Sequence, residues 1–208
     1  MNSSRVSPSV TLVACAASLV MALAACGSET DTASTTTSSA ADAFSTVATD
    51  TPIASSTCPT AAPANGGTPE WTLPGTTGNV AVTGSTDAAA PLVKVDGPFS
   101  VTETQVHTLK PGDGPVVANT ATVSVCYMGV NGRDGTVFDS SYERGEPADF
   151  PLTRVVPGFQ KAIAGQTVGS TVAVAMTSAD GYPDGQPAAG IQKGDTLVFA
   201  IKILGVSS

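Results

Sequence analysis

From Ala121 to Tyr127 the chain alternates. Ala121, Val123, Val125 and Tyr127 fall on one side, and Thr122, Ser124 and Cys126 fall on the other. This is the period of a β-strand with one buried face. Val172, Val174 and Met176 give a second such strand. Leu197, Phe199, Ile201 and Ile203 give a third, with Lys202 pointing the other way. Turn signals bound each run: Pro111-Gly112-Asp113-Gly114, Asn131-Gly132, Asp134-Gly135, Gly145, Gly169 and Gly194-Asp195. One segment breaks the pattern. Pro157 suits the first position of a helix, and Phe159 and Ile163 sit one turn apart on one face of it. Several antiparallel strands and one short helix define an α+β domain, with the helix covering one face of the sheet and an apolar space between them.

The chain ahead of this domain changes character three times. Residues 1–25 read as a secretory signal: Arg5 supplies the positive start, and Val10 to Ala25 is an apolar stretch broken by Thr11, Cys15 and Ser18. It ends in Leu23-Ala24-Ala25-Cys26-Gly27, which looks like a bacterial lipobox. Small residues at 24 and 25 suit a peptidase that cuts before Cys26, whose thiol takes a diacylglyceryl group. Two acyl chains anchor a protein stably, whereas one does not. The expectation is a chain anchored through Cys26 at the extracytoplasmic face of a bacterial membrane. Residues 26–57, rich in Ser, Thr, Ala and Asp, bury almost nothing and read as a flexible tether. Residues 58–100 hold Trp71 and the strand-like runs Gly78–Val82 and Pro91–Val95, and read as an extension with some β-structure. Residues 101–208 form the main domain.

Charge narrows the function. Of 208 residues only 12% are charged, the net charge is −8, and Lys and Arg form no cluster. That argues against nucleic-acid binding and against electrostatic docking on anionic lipid. His107 is the only histidine, which excludes a His-based triad or a multi-His metal site. Once Cys15 is removed and Cys26 acylated, Cys58 and Cys126 remain. Outside the cytoplasm they either pair, tying the extension to the domain, or stay as two separate thiols.

From about Val101 to Val206 the chain resembles the FKBP family of peptidyl-prolyl cis-trans isomerases. Val106-His107-Thr108-Leu109-Lys110-Pro111-Gly112-Asp113-Gly114 is similar to that family's first strand and turn. Val125-Cys126-Tyr127-Met128-Gly129 resembles its V-H-Y-T-G strand, and Phe138-Asp139-Ser140-Ser141 its F-D-S-S motif. Phe150-Pro151-Leu152 followed by Val155-Val156-Pro157-Gly158-Phe159 resembles F-x-L and V-I-x-G-W. Gly181-Tyr182, Ile191 and Thr196-Leu197-Val198-Phe199 match the late loop and last strand. Six motifs in order, at fitting spacing, make chance a poor explanation.

The resemblance implies a half-open antiparallel β-sheet wrapped around one short α-helix, with an isomerase pocket between them. Position by position, the pocket would take Tyr127, Phe138, Asp139, Val156, Phe159, Tyr182 and Phe199 as its working residues. Val155 and Ile191 would add substrate contacts. Phe159 stands where the family usually has Trp, and Ala148 where a pocket-wall Phe is usual. The implied chemistry needs no cofactor, because no bond is broken. An Xaa-Pro amide crosses a barrier of roughly 18–20 kcal/mol because twisting destroys its resonance. A dry apolar pocket favours the less polar twisted form over the planar one. Phe138, Val156, Phe159 and Phe199 would hold the prolyl ring, while the Tyr182 hydroxyl and Val156 N–H would bind substrate carbonyls. Asp139 has two readings: it faces the amide or orients Tyr127, or it caps a turn with Ser140 and Ser141. The implied partners are proline-containing client polypeptides and tacrolimus- or rapamycin-like macrolides. The alternative function is a weakly active or inactive FKBP-fold chaperone or adaptor at the membrane, which Ala148 and Phe159 make reasonable. A ligand-binding lipoprotein unrelated to proline chemistry fits the motif order poorly.

Overall fold

The computed structural model describes residues 57–207. The signal segment, the lipobox with Cys26 and almost all of the tether lie outside the described residues. Among the described residues, nine strands form two sheets. β1 (Trp71–Pro74), β2 (Thr77–Thr83) and β3 (Leu92–Ser100) make a three-stranded antiparallel sheet in the order β1-β2-β3. β4 (Gln105–Lys110), β5 (Thr122–Asn131), β6 (Val137–Ser140), β7 (Ala148–Pro151), β8 (Thr171–Met176) and β9 (Leu197–Ser207) make the second. It runs β4-β8-β9-β5-β6, and β7 also pairs with β5. Every pairing is antiparallel.

The period-two runs become β5, β8 and β9. Val123, Val125 and Tyr127 face a core that also takes Val172, Val174 and Met176 from β8 and Phe199, Ile201 and Ile203 from β9. α2 (Pro157–Ile163) closes that core with Phe159, Ala162 and Ile163, all buried. A helix of this length is marginal alone and is held by packing. Burying Phe and Ile contributes roughly 1.5–3 kcal/mol each. Gly158 lets the helix lie close: a Cβ there would come within 2.7 Å of the Met176 sulfur. The α+β architecture expected from the sequence is what the chain forms, with one addition. A second helical turn, α1 (Ser141–Arg144), interrupts the edge beside β5.

The opposite face of β8 and β9 is also covered. Ala173, Ala175, Val198 and Ala200 are fully buried against Leu73, Val80, Val82 and Phe99 from the three-stranded sheet. Trp71 stacks flat on His107 of edge strand β4, with ring centroids 5.6 Å apart. Phe99 N–H donates to the Gly132 carbonyl at 2.8 Å, which fixes the end of β3 to the β5–β6 turn. Residues 58–100, whose strand-like runs alone do not specify what they pack on, form a sheet that shares a buried layer with the main sheet. Cys58 and Cys126 are joined as a disulfide, with Cα atoms 5.7 Å apart. Both are buried beside Ala90 and Tyr142.

Candidate functional site: an aromatic cleft between sheet and helix

β5 is the strand that organises the site. β6 pairs with its last residues, Met128 to Val130, and β7 pairs with its first, Thr122 to Val125. The ladder has a gap between them, at Cys126 and Tyr127. Ser141 fills it. Its hydroxyl accepts the Tyr127 N–H at 2.8 Å and reaches the Tyr127 carbonyl at 3.4 Å. Thus the backbone of Tyr127 is satisfied by the first residue of α1, and its ring is free to point into the core cleft.

That cleft measures about 360 Å³. Phe159 forms one wall from α2, in edge contact with Phe199 at 5.4 Å, Phe150 at 5.8 Å and Tyr127 at 6.0 Å. Phe138 meets Phe199 edge-on at 5.5 Å. Such edge-to-face pairs each add about 0.5–1.5 kcal/mol beyond their burial. Gly129 makes room for two of the rings, since a Cβ there would lie 2.6 Å from Phe138 and 2.8 Å from Phe199. Val155 and Val156, just ahead of α2, and Tyr182 in the late loop also line it. The Tyr182 loop is tied to the helix start, where Gly158 N–H donates to the Asp180 carbonyl at 2.8 Å. Lys161 also pairs with the Asp180 carboxylate at 2.7 Å.

Two polar groups on the rim lack partners among the described residues, the Val156 N–H and the Tyr182 hydroxyl. The polar corner is different. The Tyr127 hydroxyl donates to Asp139, Arg144 pairs with Asp139 at 2.7 Å, and Arg144 also donates to the Tyr127 oxygen at 3.1 Å. Partial burial works against the Asp139 charge, but the Tyr127 and Arg144 contacts outweigh it and hold the carboxyl below its ordinary range. Burial and the neighbouring carboxylate push the Tyr127 phenol up to about 12, so it stays a donor at neutral pH.

The structure brings together eight of the nine expected residues: Tyr127, Phe138, Asp139, Val155, Val156, Phe159, Tyr182 and Phe199. Ile191 departs from the expectation. It is 2% exposed and packs in the same core cluster as Tyr127, Phe159 and Phe199, behind the residues that line the cleft. Asp139 is not the turn cap. Ser140 caps α1, accepting the Glu143 N–H at 3.4 Å. Ala148 is partly buried. It packs on the core opposite Val125, and Phe150, two residues on along the same face of β7, supplies an aromatic side chain to the cleft. Sequence reasoning passed over Arg144 and Arg154, which also lines the rim. Arg144 could have been found from F-D-S-S running straight into a helical turn, which places a residue five positions after Asp139 back beside it. Among the described residues no three His, Cys, Asp or Glu side chains converge to hold a metal ion.

A cleft walled by aromatic rings, open to solvent, with an extended N–H and a hydroxyl at its rim, has the form of a small-ligand site. Comparison with known proteins gives that site a family. Residues 114–204 match the family model described as FKBP-type peptidyl-prolyl cis-trans isomerase. The FK506-binding protein of Streptomyces anulatus is 36% identical over 98 residues, covering 46% of this chain and 79% of that one. The FKBP-type 22 kDa peptidyl-prolyl cis-trans isomerase of Escherichia coli K12 is 38% identical over 102 residues, 49% of each chain. The outer membrane protein MIP of Legionella longbeachae is 33% identical over 102 residues, 49% of this chain and 43% of that one. The chain belongs to the FKBP-type peptidyl-prolyl cis-trans isomerase family. It spans about half the length of the Escherichia coli relative.

Proposed function

We propose that the protein catalyses cis-trans isomerisation of Xaa-Pro bonds in extracytoplasmic polypeptides, and that the aromatic cleft is where it does so. The observation that carries this reading is the coincidence of an apolar ring-sized space with two rim groups free to bind amide carbonyls. The prolyl ring enters against Phe159, Phe138 and Phe199. Water leaves, and the amide loses the solvent that favours its planar, polar form. Val156 N–H takes one substrate carbonyl and the Tyr182 hydroxyl another, which orients the chain on either side of the bond. Tyr127, Asp139 and Arg144 form a fixed polar corner against which the amide carbonyl turns. Nothing covalent is required, and no proton leaves the substrate.

The test is a proline-limited peptide or refolding assay on the purified protein, using a peptide with a bulky apolar residue before Pro. Rates equal to the uncatalysed background at micromolar protein would defeat the proposal and favour a non-catalytic adaptor. Within the isomerase reading, Tyr182→Phe removes one rim hydroxyl and leaves the cleft's packing intact. A single hydrogen bond contributes about 0.5–1.5 kcal/mol, so kcat/KM should fall roughly 2- to 12-fold with an unchanged melting temperature. Full activity in Tyr182→Phe would remove that residue from the site.

The same cleft is proposed to take tacrolimus- or rapamycin-like macrolides. The Streptomyces relative is named for binding FK506, which is tacrolimus. Lipid anchoring through Cys26 completes the proposal for location. It rests on the Leu23-Ala24-Ala25-Cys26 string and sits with a relative named as an outer membrane protein. No helix among the described residues is long and apolar enough to cross a membrane. In a bacterial host the full chain should partition into detergent, and Cys26→Ser should move it to the aqueous phase. Equal partitioning of the two would refute the anchor.

A further inference from the structure

α1 is a single helical turn of four residues on the edge of the sheet, too short to hold its own position. Yet it carries two groups on which the polar corner depends. Ser141 fills the ladder gap behind Tyr127, and Arg144 bridges Tyr127 and Asp139. What holds the turn from outside is the start of the N-terminal extension. Cys58 N–H donates to the carbonyl of Gly145, the residue that ends α1, at 3.0 Å. The Cys58 sulfur lies 3.5 Å from the Ser141 hydroxyl and is bonded to Cys126, the neighbour of Tyr127 on β5. Tyr142, 1% exposed, is gripped in the same apolar cluster, and its hydroxyl meets Ser85 of the extension at 2.8 Å. The turn is therefore clamped between β5 and a segment far from it in sequence.

We propose that Cys58 is a positioning residue for the cleft: through its disulfide to Cys126 and its bond to Gly145 it fixes α1, and so sets Arg144 against Tyr127 and Asp139. The inference rests on the isomerase reading of that cleft. Cys58 touches no substrate. It acts by making one orientation of Arg144 permanent, so that the polar corner is in place before substrate arrives. Without the clamp, α1 is free to shift as a unit. Arg144, whose side chain is half exposed, would then spend part of its time in water.

The experiment is a double-mutant cycle on the purified full-length protein, with Cys58→Ala, Arg144→Ala and the pair, assayed for kcat/KM at a temperature where urea titration shows each variant folded. Clamping through Arg144 predicts that Cys58→Ala lowers kcat/KM roughly 3- to 10-fold in the wild-type background but less than about twofold when Arg144 is already Ala. Equal losses in both backgrounds, or no loss in either, would overturn the inference, since a merely structural disulfide gives additive effects. Should Cys58→Ala fail to fold, Cys58→Val with Cys126→Ala keeps the apolar cluster filled while removing the covalent tie, and the same coupling is expected of it. A wild-type protein without isomerase activity would overturn the isomerase reading and this inference with it. An active wild type with additive losses overturns this inference alone.

Discussion

The fragment Val101–Ser208, which holds every residue of the cleft but none of the three-stranded sheet, should be far less stable than the full chain. Removing the extension bares Ala173, Ala175, Val198 and Ala200, all now fully buried. Re-exposing one Val and three Ala methyls forfeits about 4–5 kcal/mol of apolar burial on this side alone. Whole domains are stable by only about 5–15 kcal/mol. The fragment also loses the backbone bond from Phe99 to Gly132 and leaves Cys126 unpaired. A urea midpoint roughly 2 M lower than that of the full chain is expected, with association through the bared sheet. Matching midpoints and a monomeric fragment would show that the shared apolar layer contributes little. They would also support a domain that begins at residue 101 and stands alone.

Phe159→Ala is the second change with a large expected effect. Phe159 is 5% exposed and touches three other aromatic rings of the cleft. Truncating a buried Phe typically costs about 3–5 kcal/mol. For a fold of this size each kcal/mol moves Tm by roughly 2–4 °C. A fall of about 6–20 °C should follow. Activity must then be read well below the new midpoint, where the variant is still folded. There, the lost wall for the prolyl ring should lower kcat/KM by roughly 10- to 100-fold, corresponding to about 1.5–3 kcal/mol of apolar contact. A folded variant with wild-type kcat/KM would place the prolyl ring elsewhere, and Phe159 would be core and nothing more.

The parts of this fold that could be read from sequence are those where one physical demand dominates. β5 alternates because one face is buried and the other is not, and Pro157, Phe159 and Ile163 mark α2 by helix start and face. β8 shows the same alternation, yet all six of its residues are buried. The signal was present: Thr171-Val-Ala-Val-Ala-Met176 has no charged residue on either side, which is how a strand covered on both faces reads. The alternation there separates large from small. On β9, Lys202 marks where the cover ends, its amine turning to the Gly169 carbonyl at 2.8 Å. The site was legible through its aromatic residues because their motifs are local. The depth of Ile191 is not legible, because the late loop has no periodicity to fix how far each side chain turns inward. Arg144 was missed because its partners, Tyr127 and Asp139, are set by the fold and by a helical turn too short to show a pattern.

The wall that β8 and the first half of β9 share between two apolar layers leaves that stretch no tolerant side. On an ordinary half-buried strand, every second position drifts freely under mutation, and solvent absorbs the difference in size. Here Ala173, Ala175 and Ala200 are small because a second sheet lies on them. A larger residue would lift that sheet, along with the Trp71–His107 stack and the segment that carries Cys58. Substitutions on the outer face should therefore be acceptable only in company, with a reduction at Val80, Val82 or Phe99 matching each gain. Variation in the two halves of the chain is thus coupled across a boundary that, in linear sequence, looks like the edge of a dispensable leader.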